Sequence, residues 1–367
     1  MTTLVPETPT ASRAAVLRAD PSRVDRVFDR LHERVASGDI PAAALAIGDG
    51  DGEIRSASYG GTQPLTADSN FFLASVTKPI FATAFMQLVE RGSIGLHDPI
   101  QRVLPEFAGE PAKSKVTAWH LLTHTSGVPD IGPDEIRRTR PSAVQMTRST
   151  LWAPLRYQPG TRWEYCSASF YLLGEMILRV TGVPYVRYLR ENVLDPLGMH
   201  ATFDPRRGGR PVAAVHGVGA DNRVIRFLLL RYMAGAAVPG GGLFGTLDDL
   251  LRFGAATLAP RVEGDRHFPL KPETIAEMQR DHLHGQVSGV TEGEERPMHF
   301  GLGWGKPTLM RELPGSSGVA SHGGATGTRL WIDPDAGLVL VFFTNTWNPD
   351  RGPEIEAIDG VYSAMKD

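Results

Sequence analysis

The chain has 367 residues, of which 41% are hydrophobic and 22% charged, and its formal net charge is −3. This composition is typical of a globular protein with one large domain or two layers. Because there is no long basic run, we expect neither nucleic acid nor a membrane as a partner. Cys166 is the single cysteine, so no intrachain disulfide can form.

The first 20 residues are rich in Thr, Pro and Ala and contain no apolar core segment. We expect a loose tail, because this stretch has the features of neither a signal peptide nor a membrane span. A cytoplasmic protein is therefore predicted, with residues 21–367 forming one domain.

Apolar residues at helical spacing predict a first helix from Val24 to Val35. Two strands follow, at 43–47 and 54–59, around a hairpin turn. The middle of the chain is predicted to be mostly helical, with helices at 119–122, 169–180, 186–194 and 247–258. Thr246 and Asp248 are candidate caps of the last of these. The chain then returns to strands, at 328–332 and 338–344, before a final helix from about residue 353.

Both ends of the chain therefore supply strands and a helix. The simplest assembly is an α+β fold, in which one antiparallel sheet from both termini is flanked by the terminal helices. This α/β lobe comprises about 21–68 and 295–367, and a helical lobe of about 69–294 is inserted. A helix that begins at the lobe boundary would lie in the cleft where sites commonly form.

Ser75-Val76-Thr77-Lys78 opens an apolar helical run that continues to Val89. Residues i and i+3 share a helix face, so the hydroxyl and the amine can meet. A serine needs an adjacent base to act as a nucleophile, and a lysine is such a base only when its pKa falls from about 10.4. The pattern predicts a serine hydrolase with a covalent acyl-enzyme. Ser363 and Lys366 repeat the spacing, but no apolar run follows, which indicates a solvated helix end.

Two further groups follow in the chain. Tyr165-Cys166-Ser167 precedes an apolar helix, and a tyrosine near a lysine can be a phenolate that takes and returns the serine proton. His322-Gly323-Gly324-Ala325 leads into the last hairpin, where a backbone N–H can form an oxyanion hole with that of Ser75. His322 is a donor whose charge is expected to change near neutral pH. Taken alone, each group is also compatible with a structural role.

Ser75-x-x-Lys78, Tyr165-x-Ser167 and His322-x-Gly324, in this order, resemble the motifs of the class C β-lactamase-like serine hydrolases. That superfamily includes class C β-lactamases, D-Ala-D-Ala carboxypeptidases, D-aminopeptidases and family VIII carboxylesterases. Flanking segments look similar as well, at 121–127, 241–246 and 300–305. The resemblance extends from about residue 22 to 365 and implies a β-lactamase/penicillin-binding-protein-like fold, in agreement with the assembly above.

The resemblance implies a role for each matching residue. Ser75 would be the acylated nucleophile, with Lys78 and Tyr165 as the proton-transfer pair. The N–H groups of Ser75 and Ala325 would form the oxyanion hole. The residues that bind substrate or the oxyanion would be Ser167, His322, Gly323, Gly324 and Ala325. No cofactor and no metal is implied.

Two residues depart from the family pattern. Ser167 stands where the second motif usually ends in Asn, so one hydroxyl replaces an amide donor and a carbonyl acceptor. His322 stands where true β-lactamases have Lys, a permanent cation that can hold a substrate carboxylate.

Both departures weaken the β-lactamase interpretation. We expect a carboxylesterase for small or medium acyl esters, because esters need less protonation of the leaving group than amides and fewer polar contacts. The alternatives are a D-amino-acid peptidase, an amidase or a β-lactamase, and an acyltransferase that uses the same acyl-enzyme. In each case the partner is a small-molecule ester or amide substrate. A binding protein without catalysis is the alternative outside the enzymes, and the intact set of Ser75, Lys78 and Tyr165 argues against it.

Three other segments were considered. Residues 224–233 are unusually apolar, and we hypothesise that they line an acyl pocket or form a lid, a plain core helix being the alternative. Gly240-x-Gly242-x-x-Gly245 matches a dinucleotide-binding fingerprint, but no strand leads into it. His282-Leu283-His284 lacks a third metal ligand, so a surface loop is predicted.

Overall fold

The computed structural model describes residues 19–61, 63–217, 223–263, 266–291, 293–310 and 313–365. Residues 1–18 of the predicted tail, and Lys366 of the second Ser-x-x-Lys pair, lie outside these ranges. Helix α1 spans Pro21–Ala36, as its apolar spacing predicts. Asp20 caps this helix, because its carboxylate accepts a hydrogen bond from the Ser22 N–H at 2.9 Å.

The remaining elements follow the predicted order, with strands near both ends and mainly helices between. The strands are β1 (Ala42–Asp49), β2 (Gly52–Gly60), β3 (Phe71–Phe72), β4 (Phe244–Gly245), β5 (Arg261–Glu263), β6 (Arg266–Phe268), β7 (Ser288–Thr291), β8 (Glu294–Pro297), β9 (Ala320–Gly324), β10 (Thr328–Asp333) and β11 (Leu338–Phe343). The later helices are α2 (Thr77–Glu90), α3 (Ala118–Leu122), α4 (Pro133–Thr139), α5 (Ala143–Trp152), α6 (Ser169–Thr181), α7 (Tyr185–Leu189), α8 (Arg223–Ala236), α9 (Leu247–Leu258), α10 (Pro272–Gln279) and α11 (Gly352–Ala364). Short 3₁₀ turns cover Ala74–Val76, Ile100–Arg102 and Pro111–Lys115, and a π-helical turn covers Arg190–Leu194.

Both ends of the chain contribute to one antiparallel sheet. Within the described ranges it has five strands in the order β2-β1-β11-β10-β9. Ala44 in β1 pairs with Phe343 on one side and Ser58 on the other. Every residue of β1 and β11 is buried, since helices cover both faces of these central strands. The predicted α+β fold class is confirmed, and β9 is left as an edge strand.

Different helices cover the two faces of the sheet. On one face, α1 and α11 pack together, and Phe28 and Ile358 are buried against Phe342. Burial of each such side chain stabilises the fold by about 1.5–3 kcal/mol. On the other face, α9 crosses β1 and β11, and a Cβ at Gly254 would collide with Val339. The missing side chain therefore lets the helical part of the chain pack closely on the sheet.

Helix α2 lies in the centre of the helical region. It is buried on all sides from Thr77 to Leu88, as expected for a helix whose apolar residues are not confined to one stripe. Its burial matters for function, because it places the side chain of Lys78 inside the protein.

The middle of the chain also contains short strands that the sequence analysis did not predict. Three two-stranded ribbons, among the residues described, pair β3 with β4, β5 with β6 and β7 with β8. Strands of two to four residues carry too little alternation of apolar and polar residues to be recognised in a sequence.

The cap of α9 differs in part from the prediction. The Thr246 hydroxyl accepts from the Asp249 N–H at 3.1 Å, and the Asp249 carboxylate accepts from the Thr246 N–H at 2.9 Å. This reciprocal pair is a capping box. Asp248 is therefore not a cap; it lies in the first turn and pairs with Arg252.

Of the two interpretations of residues 224–233, the alternative of a plain core helix is wrong. Helix α8 does form there, but five of its apolar side chains are exposed. They are Val224, Ile225, Phe227, Leu228 and Leu229. In the part of the chain described above, no helix is both long and apolar enough to cross a membrane.

Candidate active site

Ser75 lies on a sharp turn between β3 and α2. The preceding residue, Ala74, has a φ of +46°, a left-handed conformation that costs a residue with a side chain about 1–2 kcal/mol. Strain of this kind is concentrated at functional sites. The turn places Ser75 at the start of the helical segment, half-buried, while Lys78 one turn later is completely buried.

Lys78 is the central group of the site. Its Nζ donates to the Ser75 Oγ at 3.3 Å, to the Ser167 Oγ at 3.1 Å and to the Gly240 carbonyl at 2.7 Å. Burial lowers the pKa of this amine to about 7, although Asp130 acts in the opposite direction. A neutral lysine, which has a free lone pair, is therefore accessible near neutral pH. The predicted contact between Ser75 and Lys78 is therefore present, and the lowered pKa would allow the amine to act as a base.

Tyr165 lies on the other side of this amine. The Lys78 Nζ is 4.6 Å from the centroid of its ring. Burial raises the pKa of the Tyr165 phenol above its usual value, and a hydrogen bond with Ser75 acts against this rise. The phenolate suggested by the sequence is thus disfavoured in the free protein. These opposite shifts favour Lys78 as the base and Tyr165 as the acid.

Two further groups hold Ser167 and Lys78 in place, and neither was predicted from the sequence. The Asp130 carboxylate accepts from the N–H groups of Ser167 and Ala168 at 2.9 and 3.0 Å, which fixes Ser167 at the start of α6. Gly240, which the sequence offered only as part of a discounted fingerprint, presents its carbonyl to Lys78. A Cβ at Gly240 would lie 3.1 Å from Phe170, so the absence of a side chain permits this approach.

The ring of His124 packs against the ring of Tyr165. Its ring lies 4.6 Å from the Tyr165 ring, centroid to centroid, and its Nδ1 accepts from the Cys166 N–H at 3.2 Å. Burial lowers the pKa of His124 well below the usual value, so the ring is neutral. The segment 121–127, recognised in the sequence only by resemblance, therefore positions the tyrosine.

The edge strand β9 lies beside the Ser75 turn. The hydroxyls of Thr326 and Thr328 donate to the carbonyls of Phe72 and Leu73 at 2.6 and 2.8 Å. These bonds hold the end of β9 against the Ser75 turn. Ser75 is near the start of a helical segment, where N–H groups have no intrahelical partner, and Ala325 follows the last residue of β9. This arrangement is compatible with the predicted oxyanion hole, which remains a prediction.

His322 is buried in β9, only 6% exposed. Burial, reinforced by the charge of Lys78, lowers its pKa to about 3. The expected change of charge near neutral pH is therefore wrong. The Nδ1–H donates to the Gly323 carbonyl at 2.8 Å, so Nε2 carries the lone pair. Within the described structure no group donates to this Nε2, which leaves an acceptor beside the site.

A cavity of about 320 Å³ opens next to these groups. Tyr165, His322 and Gly323 form the wall nearest to Ser75. The apolar part of the wall is made by Trp163, Met298, Phe300, Pro307 and Met310, and the lining also includes Arg296, Arg329 and Arg351. The cavity therefore places an apolar, partly aromatic surface and three arginines next to these groups.

Other sequence signals lie outside the site. His282 is buried, not in a surface loop, because it accepts from Trp119 Nε1 at 2.9 Å and its Nε2 bonds to the Glu277 carbonyl at 2.9 Å. No cluster of three or more metal-ligating side chains occurs in the described chain. Ser363 is at the end of α11, and its carbonyl accepts from Arg23.

The β-lactamase family model matches residues 24–362. Esterase EstB from Burkholderia gladioli is 32% identical, over 93% of this chain and 95% of its own. The chain belongs to the β-lactamase family.

More distant relatives of this β-lactamase-family protein agree with the assignment. The D-alanyl-D-alanine-carboxypeptidase/endopeptidase AmpH from Escherichia coli K12 is 26% identical, over 85% of this chain and 83% of its own. The solved structure of EstCE1, a hydrolase with promiscuous acyltransferase activity, matches with a TM-score of 0.75 at 20% identity, covering 93% of this chain and 99% of that one. The predicted family and fold are confirmed, and the protein is a serine hydrolase.

The contact between β9 and the Ser75 turn allows a direct test. A Cβ at Gly324 would lie 2.5 Å from the Leu73 carbonyl and would also collide with the Thr328 hydroxyl. Gly324→Ala should therefore displace the turn and reduce kcat/KM for p-nitrophenyl acetate about 10²-fold, as expected for a displacement of about 1 Å. Gly208→Ala is the control, because no atom lies within 4 Å of its added Cβ. Equal activities of the two variants would show that β9 does not position Ser75.

Proposed function

We propose that this protein is a carboxylesterase that forms an acyl intermediate on Ser75. The relative with 32% identity is an esterase, and the cavity beside Ser75 is lined largely by aromatic and thioether side chains. Such a surface suits the acyl or alcohol part of an uncharged ester.

The observation that carries the proposal is the neutral charge of the His322 side chain. In true β-lactamases, as the resemblance implies, a lysine cation at this position holds the substrate carboxylate. Here the side chain is a buried, neutral imidazole with a pKa of about 3 and an acceptor lone pair at Nε2. An acceptor repels a carboxylate and binds a donor such as a hydroxyl or amide N–H. The site is therefore better suited to uncharged substrates.

Acylation would proceed through the groups described. Neutral Lys78 takes the Ser75 proton while Oγ attacks the ester carbonyl carbon, and the N–H groups of Ser75 and Ala325 stabilise the oxyanion. When the tetrahedral intermediate collapses, the bond to the leaving oxygen breaks. Tyr165 gives its proton to that oxygen and regains one from the Lys78 ammonium. The products are the free alcohol and the acyl-enzyme.

Deacylation would use the same groups. Water attacks the acyl carbon and loses a proton to neutral Lys78, the acyl–Oγ bond breaks, and the Ser75 oxygen takes a proton from Tyr165, which regains one from the Lys78 ammonium. The free acid and the starting enzyme result. Because Ser167 holds Lys78 at 3.1 Å, the amine keeps its place after the Ser75 oxygen has been acylated.

The second candidate is hydrolysis of substrates that carry a carboxylate, as D-alanyl peptides and β-lactams do. The arginines that line the cavity, Arg296, Arg329 and Arg351, favour it. Glu354 accepts from Arg329 at 2.7 Å and from Arg351 at 3.4 Å, so one carboxylate faces two of these three cations. AmpH is a carboxypeptidase relative with 26% identity.

A pair of matched substrates distinguishes the candidates. p-Nitrophenyl butanoate and mono-p-nitrophenyl succinate have equal chain length and differ by a terminal carboxylate. We expect kcat/KM to favour the butanoate by about tenfold or more, a difference of about 1.4 kcal/mol in transition-state binding. Nitrocefin and D-alanine p-nitroanilide should be turned over more slowly than either ester. A preference for the succinate, or dominant turnover of nitrocefin or the D-alanyl amide, would support the second candidate instead.

A further inference from the structure

Helix α8 presents an apolar face to solvent beside the active site. Val224, Phe227 and Leu228 are 65, 54 and 48% exposed. With the exposed Arg231 they occupy positions i, i+3, i+4 and i+7, which share one helix face. Contiguous apolar patches on a protein surface usually mark an interaction site. We name this set, Val224, Phe227, Leu228 and Arg231, the α8 face.

The helix is tied to the catalytic groups by the chain that follows it. Four residues after α8 ends, the Gly240 carbonyl accepts from Lys78 at 2.7 Å. The intervening Ala237 carbonyl accepts from Tyr185 at 2.6 Å. On the helix itself, the Tyr232 hydroxyl donates to the Pro141 carbonyl at 3.2 Å. A partner bound to the α8 face would therefore lie close to the active site.

The charged residues of α8 itself are all of one sign. The sequence of α8, RVIRFLLLRYMAGA, contains three arginines and no acidic residue. Arg140 is exposed; it precedes Pro141, whose carbonyl accepts from the Tyr232 hydroxyl. Within the described chain neither Arg140 nor Arg231 forms an ion pair. A second copy packed about a two-fold axis would bring together two faces that both carry arginine and no acidic residue, which makes self-association a poor match. An anionic surface complements both the charge and the apolar side chains.

We propose that α8 docks this protein onto an anionic lipid–water interface. A helix of 14 residues is about 21 Å long and can lie in the plane of the interface with Phe227 and Leu228 among the acyl chains. Arg231 would reach back to the lipid phosphates, as long basic side chains do. The docked enzyme would take ester lipids as substrates, a point that rests on the proposed esterase function. The sequence analysis had expected no membrane partner.

Co-sedimentation with vesicles tests the docking separately from catalysis. Wild type and Ser75→Ala should both bind vesicles of equal parts phosphatidylcholine and phosphatidylglycerol, and bind more weakly to phosphatidylcholine alone. The double variant Phe227→Gln, Leu228→Gln should lose at least about tenfold in partition coefficient, since two apolar side chains no longer enter the interface. Arg231→Gln should lose binding to the anionic vesicles only.

Ile54→Gln is the matched control, because Ile54 is 42% exposed on β2, the opposite edge of the sheet from β9. It should bind as wild type does, and the double variant should retain hydrolysis of soluble p-nitrophenyl acetate. Absence of wild-type binding to anionic vesicles, or equal binding by the double variant, would overturn the proposal. So would a wild-type dimer in sedimentation velocity that the double variant lacks, which would assign the α8 face to a second copy.

Discussion

Ser75→Ala should lower kcat for p-nitrophenyl acetate by about 10⁴–10⁶-fold, the loss seen when a catalytic nucleophile is removed. The hydroxyl is the only group that the substitution removes. In the free protein its oxygen accepts a hydrogen bond from the Lys78 Nζ at 3.3 Å. Mass spectrometry after treatment with a fluorophosphonate should find one adduct on wild type, at Ser75, and none on the variant.

Ser114→Ala is the control for loss of a serine hydroxyl. Ser114 is exposed on a 3₁₀ turn and donates to the Pro111 carbonyl, so its removal should leave both rate and labelling unchanged. Retention of ester turnover or of labelling in Ser75→Ala would show that another residue is the nucleophile. A folded wild type without either activity would support the non-catalytic binding protein.

Lys78→Met should reduce kcat/KM by about 10²–10⁴-fold, the usual contribution of a general base. In wild type, activity should rise with pH through about 7, because the pKa of Lys78 is about 7 and only the neutral amine can take the Ser75 proton. The residual activity of the variant should lack this rise. An unchanged pH profile in Lys78→Met would exclude the lysine as the base.

The same substitution should raise the stability of the fold. Lys78 is 0% exposed, and its folded pKa lies below the ordinary value of 10.5. The unfolded chain therefore binds the proton more strongly. As the pH falls from 10.5 to about 7, the free energy of unfolding of wild type decreases by about 1.4 kcal/mol for each pH unit. Thermal unfolding should show a larger advantage for Lys78→Met at about pH 6 than at about pH 10. A variant less stable at both would mean that the hydrogen bonds of Lys78 outweigh its desolvation.

Local sequence patterns were sufficient for the elements that carry the site. The apolar run after Ser75 predicts a buried helix, and i, i+3 spacing brings Lys78 to the hydroxyl. The proline and glycine between 333 and 337 predict the hairpin that joins β10 to β11. The α+β assembly follows because sheet strands at both ends of a chain must pair to bury their apolar faces.

Other features depend on contacts between distant parts of the chain. Asp130 binds the N–H of Ser167 from 37 positions away, and Gly240 binds Lys78 from 162 positions away. Neither residue has a local pattern that indicates this role. The neutral state of His322 arises from burial, which only tertiary packing determines. The exposure of α8 was missed for the same reason, since an apolar run does not reveal whether another element covers it.

The hydroxyls of Thr326 and Thr328 reach carbonyls that lie 254 and 255 positions earlier in the chain. The turn that carries Ser75 is therefore held in place by residues from near the other end of the polypeptide. A growing chain on the ribosome could complete helix α2 while Ser75 still lacked its strand partner. Hydrolysis could begin only after the last strands had been synthesised and had paired, so a nascent or truncated chain would carry the serine and lysine without hydrolase activity. Contacts between residues so far apart in sequence also form slowly during folding. The return of activity during refolding is accordingly a marker of the last step in sheet formation.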